Sequence, residues 1–237
     1  MERGVLVAHQ PAYLPWPGFF SRLLDVDELV LLDHVQFSER GWQNRNFVRG
    51  PVGTEPIRLT VPVRHRFGQA IRDVETAHSD WARRHWRTLV HSYGRAPYWP
   101  NYRGRLEEIF CRQWERLAPL NEALLELLLD GLGLRVCLVR SSALAPGGRQ
   151  THMLMNLCRA QGANRLRVGT GALAYLDHDQ LAEHGIAVEI ATYSHPRYGS
   201  APGWAPGLSA LDLLLHEGPN AKAILRAGAR TETKALT

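Results

Sequence analysis

His9-Gln10-Pro11-Ala12-Tyr13-Leu14-Pro15-Trp16 gathers more chemistry than any other stretch of the chain. An imidazole titrates near neutral pH, so His9 is a candidate general acid or base. Gln10 brings a donor and an acceptor. Tyr13 and Trp16 offer flat faces for a sugar or a base. The prolines lack an amide donor and restrict the residue before them, which holds these groups in a fixed, non-helical path. A rigid loop around a satisfied core histidine is the competing reading.

Other candidates lie at the ends of apolar runs. Asp33 follows one, where a parallel strand delivers a carboxylate, and Gln36 comes soon after. An Asx-type loop cap would look the same. Within Trp42-Gln43-Asn44-Arg45-Asn46, Arg45 could clamp a carboxylate or phosphate in two-pronged fashion, and Asn46 could orient a carbonyl. A solvated loop is the alternative there. Gly169-Thr170-Gly171 lets backbone amides approach an anion, although such a short glycine pattern also makes ordinary turns. Ser142 and His195 end further strands, and Asp212 is a carboxylate in a mostly apolar helix, either paired or exposed. The catalytic set is therefore His9, Asp33 and His195. The substrate-binding set is Gln10, Tyr13, Trp16, Gln36, Arg45, Asn46, Ser142, Gly169, Gly171 and Asp212.

Several chemistries are excluded by composition. Lys222 and Lys234 are the only lysines among 28 basic side chains; the rest are arginine. A phosphate-binding P-loop, a pyridoxal enzyme, a Schiff-base aldolase and a protein kinase each need a lysine in a core element. HExxH and GxSxG are missing, and the Asp177-His178-Asp179 cluster reads as a helix start rather than a metal site. Cys111, Cys137 and Cys158 are odd in number and widely spaced, which predicts buried, inert thiols rather than a disulfide or zinc framework. The net charge of +5 is spread along the chain, with no nucleic-acid-binding motif. The arginines read either as an ordinary surface or as recognition of an anionic small ligand.

The elements that must position these groups alternate. Strands are predicted at 4–9, 28–33, 57–63, 135–140, 165–169 and 188–193. Residues 71–74 could pair with 57–63, and 38–53 reads as loop. Helices are predicted at 18–26, 80–93, 99–116, 120–132, 150–160, 176–184 and 209–216. Asp80 is a predicted N-cap, and Gly131 and Gly133 a helix end. The pattern is that of an α/β fold with a mostly parallel, Rossmann-like sheet and helices on both faces. The expected organisation is a single domain over 1–220, a helical insertion over 79–133 and a loose tail over 221–237. Ligands of such sheets bind beyond the carboxyl ends of the strands. No stretch approaches the roughly 20 apolar residues of a membrane span, and the N-terminus lacks a signal-peptide pattern, so a cytoplasmic protein is expected.

The runs HQPAYLPWPGFFSRLL at 9–24 and DELVLLDHVQF at 27–37, then WQNRN, LTVPV, VGTGALAYLD, YSHPRY and LSALDLLLHEG, together resemble the WbqC-like family from Val5 to Gly218. Departures fall at His216, where an Asn-like residue is usual, and after His195, where Gln is commoner than YGSAPGW. The resemblance implies an accessory enzyme of surface-polysaccharide or natural-product biosynthesis. It carries over His9, Gln10, Tyr13, Trp16, Asp33, Gln36, Arg45, Asn46, His195 and Asp212 as motif residues without fixing their roles. A fainter likeness to pantothenate synthetase and its nucleotidyl-transferring relatives extends to the first strand, helix and second strand, but HxGH is absent.

The leading expectation is a transferase that passes an acyl or aminoacyl group to an amine, with His9 as base. Nucleotidyl transfer or ATP-dependent ligation is one alternative; a non-catalytic sugar- or nucleotide-binding protein is another. No tightly bound cofactor is expected. The substrate would be a small molecule, with an activated acyl or aminoacyl donor, or ATP, as co-substrate. The donor could come from a carrier protein or an aminoacyl-tRNA.

Overall fold

Val5 and Val7 of the first strand point to one side, Leu6 and Ala8 to the other, and both sides are apolar. A strand with this pattern must be covered on both faces, which is what parallel sheets provide. The computed structural model describes residues 4–51, 55–77, 80–199 and 202–234. Six strands form the central sheet: β1 (Val5–His9), β2 (Glu28–Leu31), β7 (Cys137–Arg140), β8 (Arg165–Gly169), β9 (Ala187–Tyr193) and β10 (Ala229–Lys234). Their order is β10-β9-β8-β1-β2-β7, parallel except for the β9–β10 pair. This is a Rossmann-like α/β sheet.

One face packs Val5, Val7, Leu29 and Leu31 against α1 (Pro17–Ser21), α2 (Trp81–Tyr93), α3 (Trp99–Cys111), α4 (Leu117–Gly131), α8 (Ala210–Glu217) and α9 (Ala221–Gly228). The other packs Leu6, Val30, Leu166 and Val188 against α6 (Gln150–Ala160) and α7 (His178–Glu183). A four-residue helix, α5 (Ser141–Leu144), follows β7 directly.

Residues 38–53, expected as loop, contain β3 (Arg45–Val48), which pairs antiparallel with β4 (Ile57–Thr60); residues 52 and 53 lie outside the described residues. Residues 71–74 do not form a strand. Ile71–Asp73 is a single 3₁₀ turn, and β5 (Val63–Arg64) pairs instead with β6 (Glu75–Thr76). Asp80 sits at the head of α2 but makes no cap bond; its carboxylate accepts from Arg83 at 2.8 Å. The third helix stops at Cys111, short of 116. At the end of α4, Gly133 takes φ +62° while Leu134 N–H reaches back to the Leu129 carbonyl at 2.9 Å, a left-handed helix stop that suits glycine.

The expected loose tail is also corrected. Ala221 and Leu225 are fully buried on α9, and β10 runs antiparallel along the edge of β9, Ala229 opposite Tyr193. Of the thiols, Cys158 is buried and pushed up to about 12 by desolvation, whereas Cys111 and Cys137 are exposed, contrary to expectation. Among the described residues no helix is long and apolar enough to cross a membrane.

Candidate active site at the switch point

The chain leaves β1 toward β2 and β7, then crosses back to β8, β9 and β10 on β1's other side. At this reversal the loops after β1 and β8 diverge, and an open α/β sheet forms its ligand crevice there. A cleft of about 450 Å³ occupies the position. His9 and Gln10 enter from the end of β1, Gly169 and Gly171 from the end of β8, Gln150 from the start of α6, and Arg22 from the turn after α1.

His9 is held as one tautomer. Its Nδ1–H donates to the Gln10 carbonyl at 2.8 Å, and its ring packs edge-on against Phe19 at 4.8 Å. Nε2 is left as the lone-pair nitrogen. Burial first, and the Arg22 charge second, hold the ring down to about 3, so it is neutral at pH 7. Gln10 Oε1 accepts from Gln43 Nε2 at 2.7 Å, which fixes the start of the loop.

Arg22 was not among the sequence candidates. Its Nε donates to the Gly18 carbonyl at 3.2 Å, and no carboxylate lies within 4 Å of its guanidinium among the described residues. Burial lowers it to about 10, the mark of a cation short of compensation. A Cβ at Gly169 would stand 3.2 Å from Arg22 Nη1, so glycine there gives the guanidinium its room. The backbone that carries Arg22 is anchored from the sheet. Arg167 on β8 donates to the Arg22 and Leu24 carbonyls at 3.1 and 2.6 Å, and its Nε is held by Glu189 on β9 at 2.7 Å. The only sequence signal for Arg22 was a lone basic residue within an otherwise apolar helical pattern.

Asp33 is corrected from catalytic group to positioning residue. It is buried and accepts from Ser141 Oγ at 3.0 Å, Ser142 N at 2.8 Å and Ser142 Oγ at 2.6 Å. Burial alone would raise its carboxyl; the Ser142 and Ser141 bonds outweigh that and hold it below the usual range. His34 joins through Ser141 Oγ at 2.5 Å. This knot ties the end of β2 to the head of α5, with Ser142 part of the tie rather than a ligand contact.

The remaining candidates separate from the cleft. Tyr13 is fully buried, its hydroxyl bonded at 2.8 Å to Nδ1 of His85, so it shows no face to a ligand. Asn46 Nδ2 donates to the Leu14 and Tyr13 carbonyls at 2.6 and 3.3 Å, clasping the loop where Leu14 takes φ +46°. Such a left-handed leucine costs about 1–2 kcal/mol and persists only under constraint. Arg45 turns to the Glu39 carbonyl rather than to a substrate site. Gln36 is exposed, its backbone bridged to Ala70. Asp212 is fully buried and paired with Arg49 at 2.8 and 2.9 Å and with Tyr198 Oη at 2.8 Å. His195 does not reach His9's cleft. It stacks on Trp16 at 5.1 Å beside a second, aromatic groove. Asp177 begins α7 as read from the sequence, its side chain accepting from Gln180 N.

The family model described as the WbqC-like protein family matches residues 10–224. The chain belongs to the WbqC-like protein family. Its similarity extends to an uncharacterized protein, Rv1507c, of Mycobacterium tuberculosis (strain ATCC 25618 / H37Rv). That relative is 31% identical over 222 residues, covering 92% of this chain and 95% of the relative. No solved structure matches the chain. The matched range takes in all of the cleft's polar residues except His9, which immediately precedes it.

Proposed function

We propose that this WbqC-like protein is a biosynthetic transferase that passes an acyl or aminoacyl group to an amine in the switch-point cleft. The observation that supports this is the meeting, in one cleft, of Arg22, a guanidinium without a carboxylate partner among the described residues, and a neutral His9 whose Nδ1 is engaged by the Gln10 carbonyl. Arg22 takes an anionic group of the donor, a carboxylate or phosphate, by charge-assisted bonds. The amine nitrogen then attacks the acyl carbonyl carbon. As the C–N bond forms, the nitrogen becomes acidic and His9 Nε2 accepts its proton. Collapse breaks the bond to the leaving group, a thiol or hydroxyl, which takes that proton from His9. The donor is a thioester or ester made by another enzyme, presented free or on a carrier protein or tRNA. An anion on Arg22 cancels the second of the two causes that hold His9 down, after burial, so donor binding shifts the ring toward greater basicity.

The test is a thermal-shift panel of ATP, coenzyme A, acyl and aminoacyl thioesters and nucleotide amino sugars, followed by turnover with whichever donor binds. A donor at 100 times its Kd adds about 2.7 kcal/mol. His9→Gln is expected to lower kcat by about 10²–10⁴ with binding retained. Full turnover in that variant would remove His9 from the chemistry. The second reading, nucleotidyl transfer or ligation, draws on the Gly169–Gly171 turn facing the same cleft. Stabilisation by ATP alone, with pyrophosphate or AMP released, would replace the first reading with it. Binding without any product would leave a binding protein.

A further inference from the structure

A second cavity, of about 430 Å³, lies beyond the loop that follows β1 and is bounded by Trp16, Trp42, Asn46, Phe47, His195 and Pro206. Its walls are mostly rings. Trp16 stacks on His195 with an interplanar angle of 27°, and the indole folds back over Gly18, where a Cβ would come within 2.0 Å of it. Trp42 leaves 54% of its surface exposed, although its ring leans on Phe47 at 6.3 Å. An indole left this open beside a concave wall is a surface awaiting a flat partner.

The polar groups decide what kind of partner. None of the bounding side chains is a carboxylate, lysine or arginine, and burial lowers the His195 pKa below its ordinary value, which leaves the ring neutral at pH 7. His195 Nδ1 accepts from the Gly207 amide at 3.3 Å, which makes Nε2–H the remaining donor. The neighbouring crevice shares His195 and Gly207, and its wall includes Trp204, whose indole N–H is buried without an acceptor among the described residues. Asn46 is no free hydrogen-bonding group, because its Nδ2 and Oδ1 are taken by the Tyr13 and Leu14 carbonyls and the Phe47 amide. Among the described residues the groove thus combines ring faces with N–H donors and has no free side-chain acceptor on its wall. A nucleobase edge needs donors and acceptors together, and an ionic ligand needs a countercharge. A pyranose ring fits better: its C–H face lies on an indole, its hydroxyl oxygens accept from the N–H donors, and its freely rotating hydroxyl hydrogens can donate to water.

We propose that this groove binds the pyranose ring of an uncharged sugar, stacked on Trp42 with a ring hydroxyl accepting from His195 Nε2–H. The site stands apart from the cleft and does not depend on the reaction assigned there. Saturation-transfer NMR on the full chain tests it, using methyl glycosides of gluco, galacto and N-acetylglucosamine configuration, with adenine as the flat control that carries no sugar. Transfer to the ring C–H protons of at least one glycoside is expected, with Kd raised about tenfold in Trp42→Ala. The exposed position of Trp42 leaves the fold intact in that variant, checked by an unchanged melting temperature. Inorganic phosphate, binding at Arg22, should be indifferent to Trp42→Ala. Three outcomes would each overturn the proposal: no transfer from any glycoside at millimolar concentration, transfer undiminished by Trp42→Ala, or displacement of the glycoside by adenine.

Discussion

Arg49 and Arg22 both hold their charges largely out of water, and their surroundings differ in one respect. Arg49 meets Asp212 through two parallel bonds at 2.8 and 2.9 Å, with Tyr198 completing the carboxylate. Burial would depress its pKa, but the Asp212 bonds more than offset that and raise it. Arg22 has the Gly18 carbonyl at 3.2 Å and the Phe19 ring 5.8 Å from its guanidinium carbon, with no carboxylate partner among the described residues, and its pKa falls. The first cation is neutralised by its own fold, which makes it a fastener between β3's end and α8. The second waits for charge from outside. Buried ions are costly unless paired, so an incomplete pair in a cleft points to a ligand and a complete one to architecture.

The largest expected effect comes from breaking the complete pair. Asp212→Ala strands Arg49 without its carboxylate and should cost about 3–5 kcal/mol in urea-unfolding stability. A loss under 1 kcal/mol would mean that water reaches the pair. Asp33→Ala ranks next, since it leaves both serines and the Ser142 amide without their acceptor; about 2–3 kcal/mol is expected by the same measurement. Acidity probes the histidines. The pKa of His85 is lowered to about 4 and that of His9 to about 3, against 6.5 when unperturbed. Between pH 6.5 and 4 the unfolded chain therefore binds protons that the folded chain refuses, and stability falls with pH by up to about 1.4 kcal/mol per unit for each. His85→Gln should flatten that slope, measured by melting curves at stepped pH.

The smallest stability effect is the sharpest test of the contrast. Arg22→Met should leave stability within about 1 kcal/mol of wild type, because a half-buried cation without a carboxylate partner contributes little to folding. It should nonetheless abolish stabilisation by phosphate or by an anionic donor. A large loss of stability in Arg22→Met would place Arg22 with Arg49 as a structural cation.

The sheet was legible because strands buried on both faces read as continuous apolar runs, and β8 and α6 were bounded to the residue. The switch point followed from the alternation of strands and helices, and it placed His9, Gln10, Gly169 and Gly171 at one cleft. Polar residues were harder. Asp33 and Asp212 have the type and the setting of ligand-binding carboxylates, but their partners lie 108 and 163 residues away, where no local pattern reaches. Asn46 and Tyr13 were read as ligand contacts when they hold the loop that carries His9. Arg22 was passed over because its backbone belongs to a turn that looks apolar and helical; only the fold turns its guanidinium toward Gly169. The last strand was missed because ARTETK is mostly polar, as an edge strand can be, and shows no apolar alternation.

The strand order also sets a schedule for the chain as it is made. β1 is the centre of the sheet, with β2 on one side about twenty residues later in sequence and β8 on the other, where Val5 pairs with Arg165. At roughly 5–20 residues per second of synthesis, one flank of β1 stays open for about 10–30 s after it leaves the ribosome. Throughout that interval, strand edges and apolar side chains that end up at the centre of the protein are exposed to any other nascent chain nearby. A newly made copy must therefore be sheltered, or simply lucky, until β8 arrives to close it.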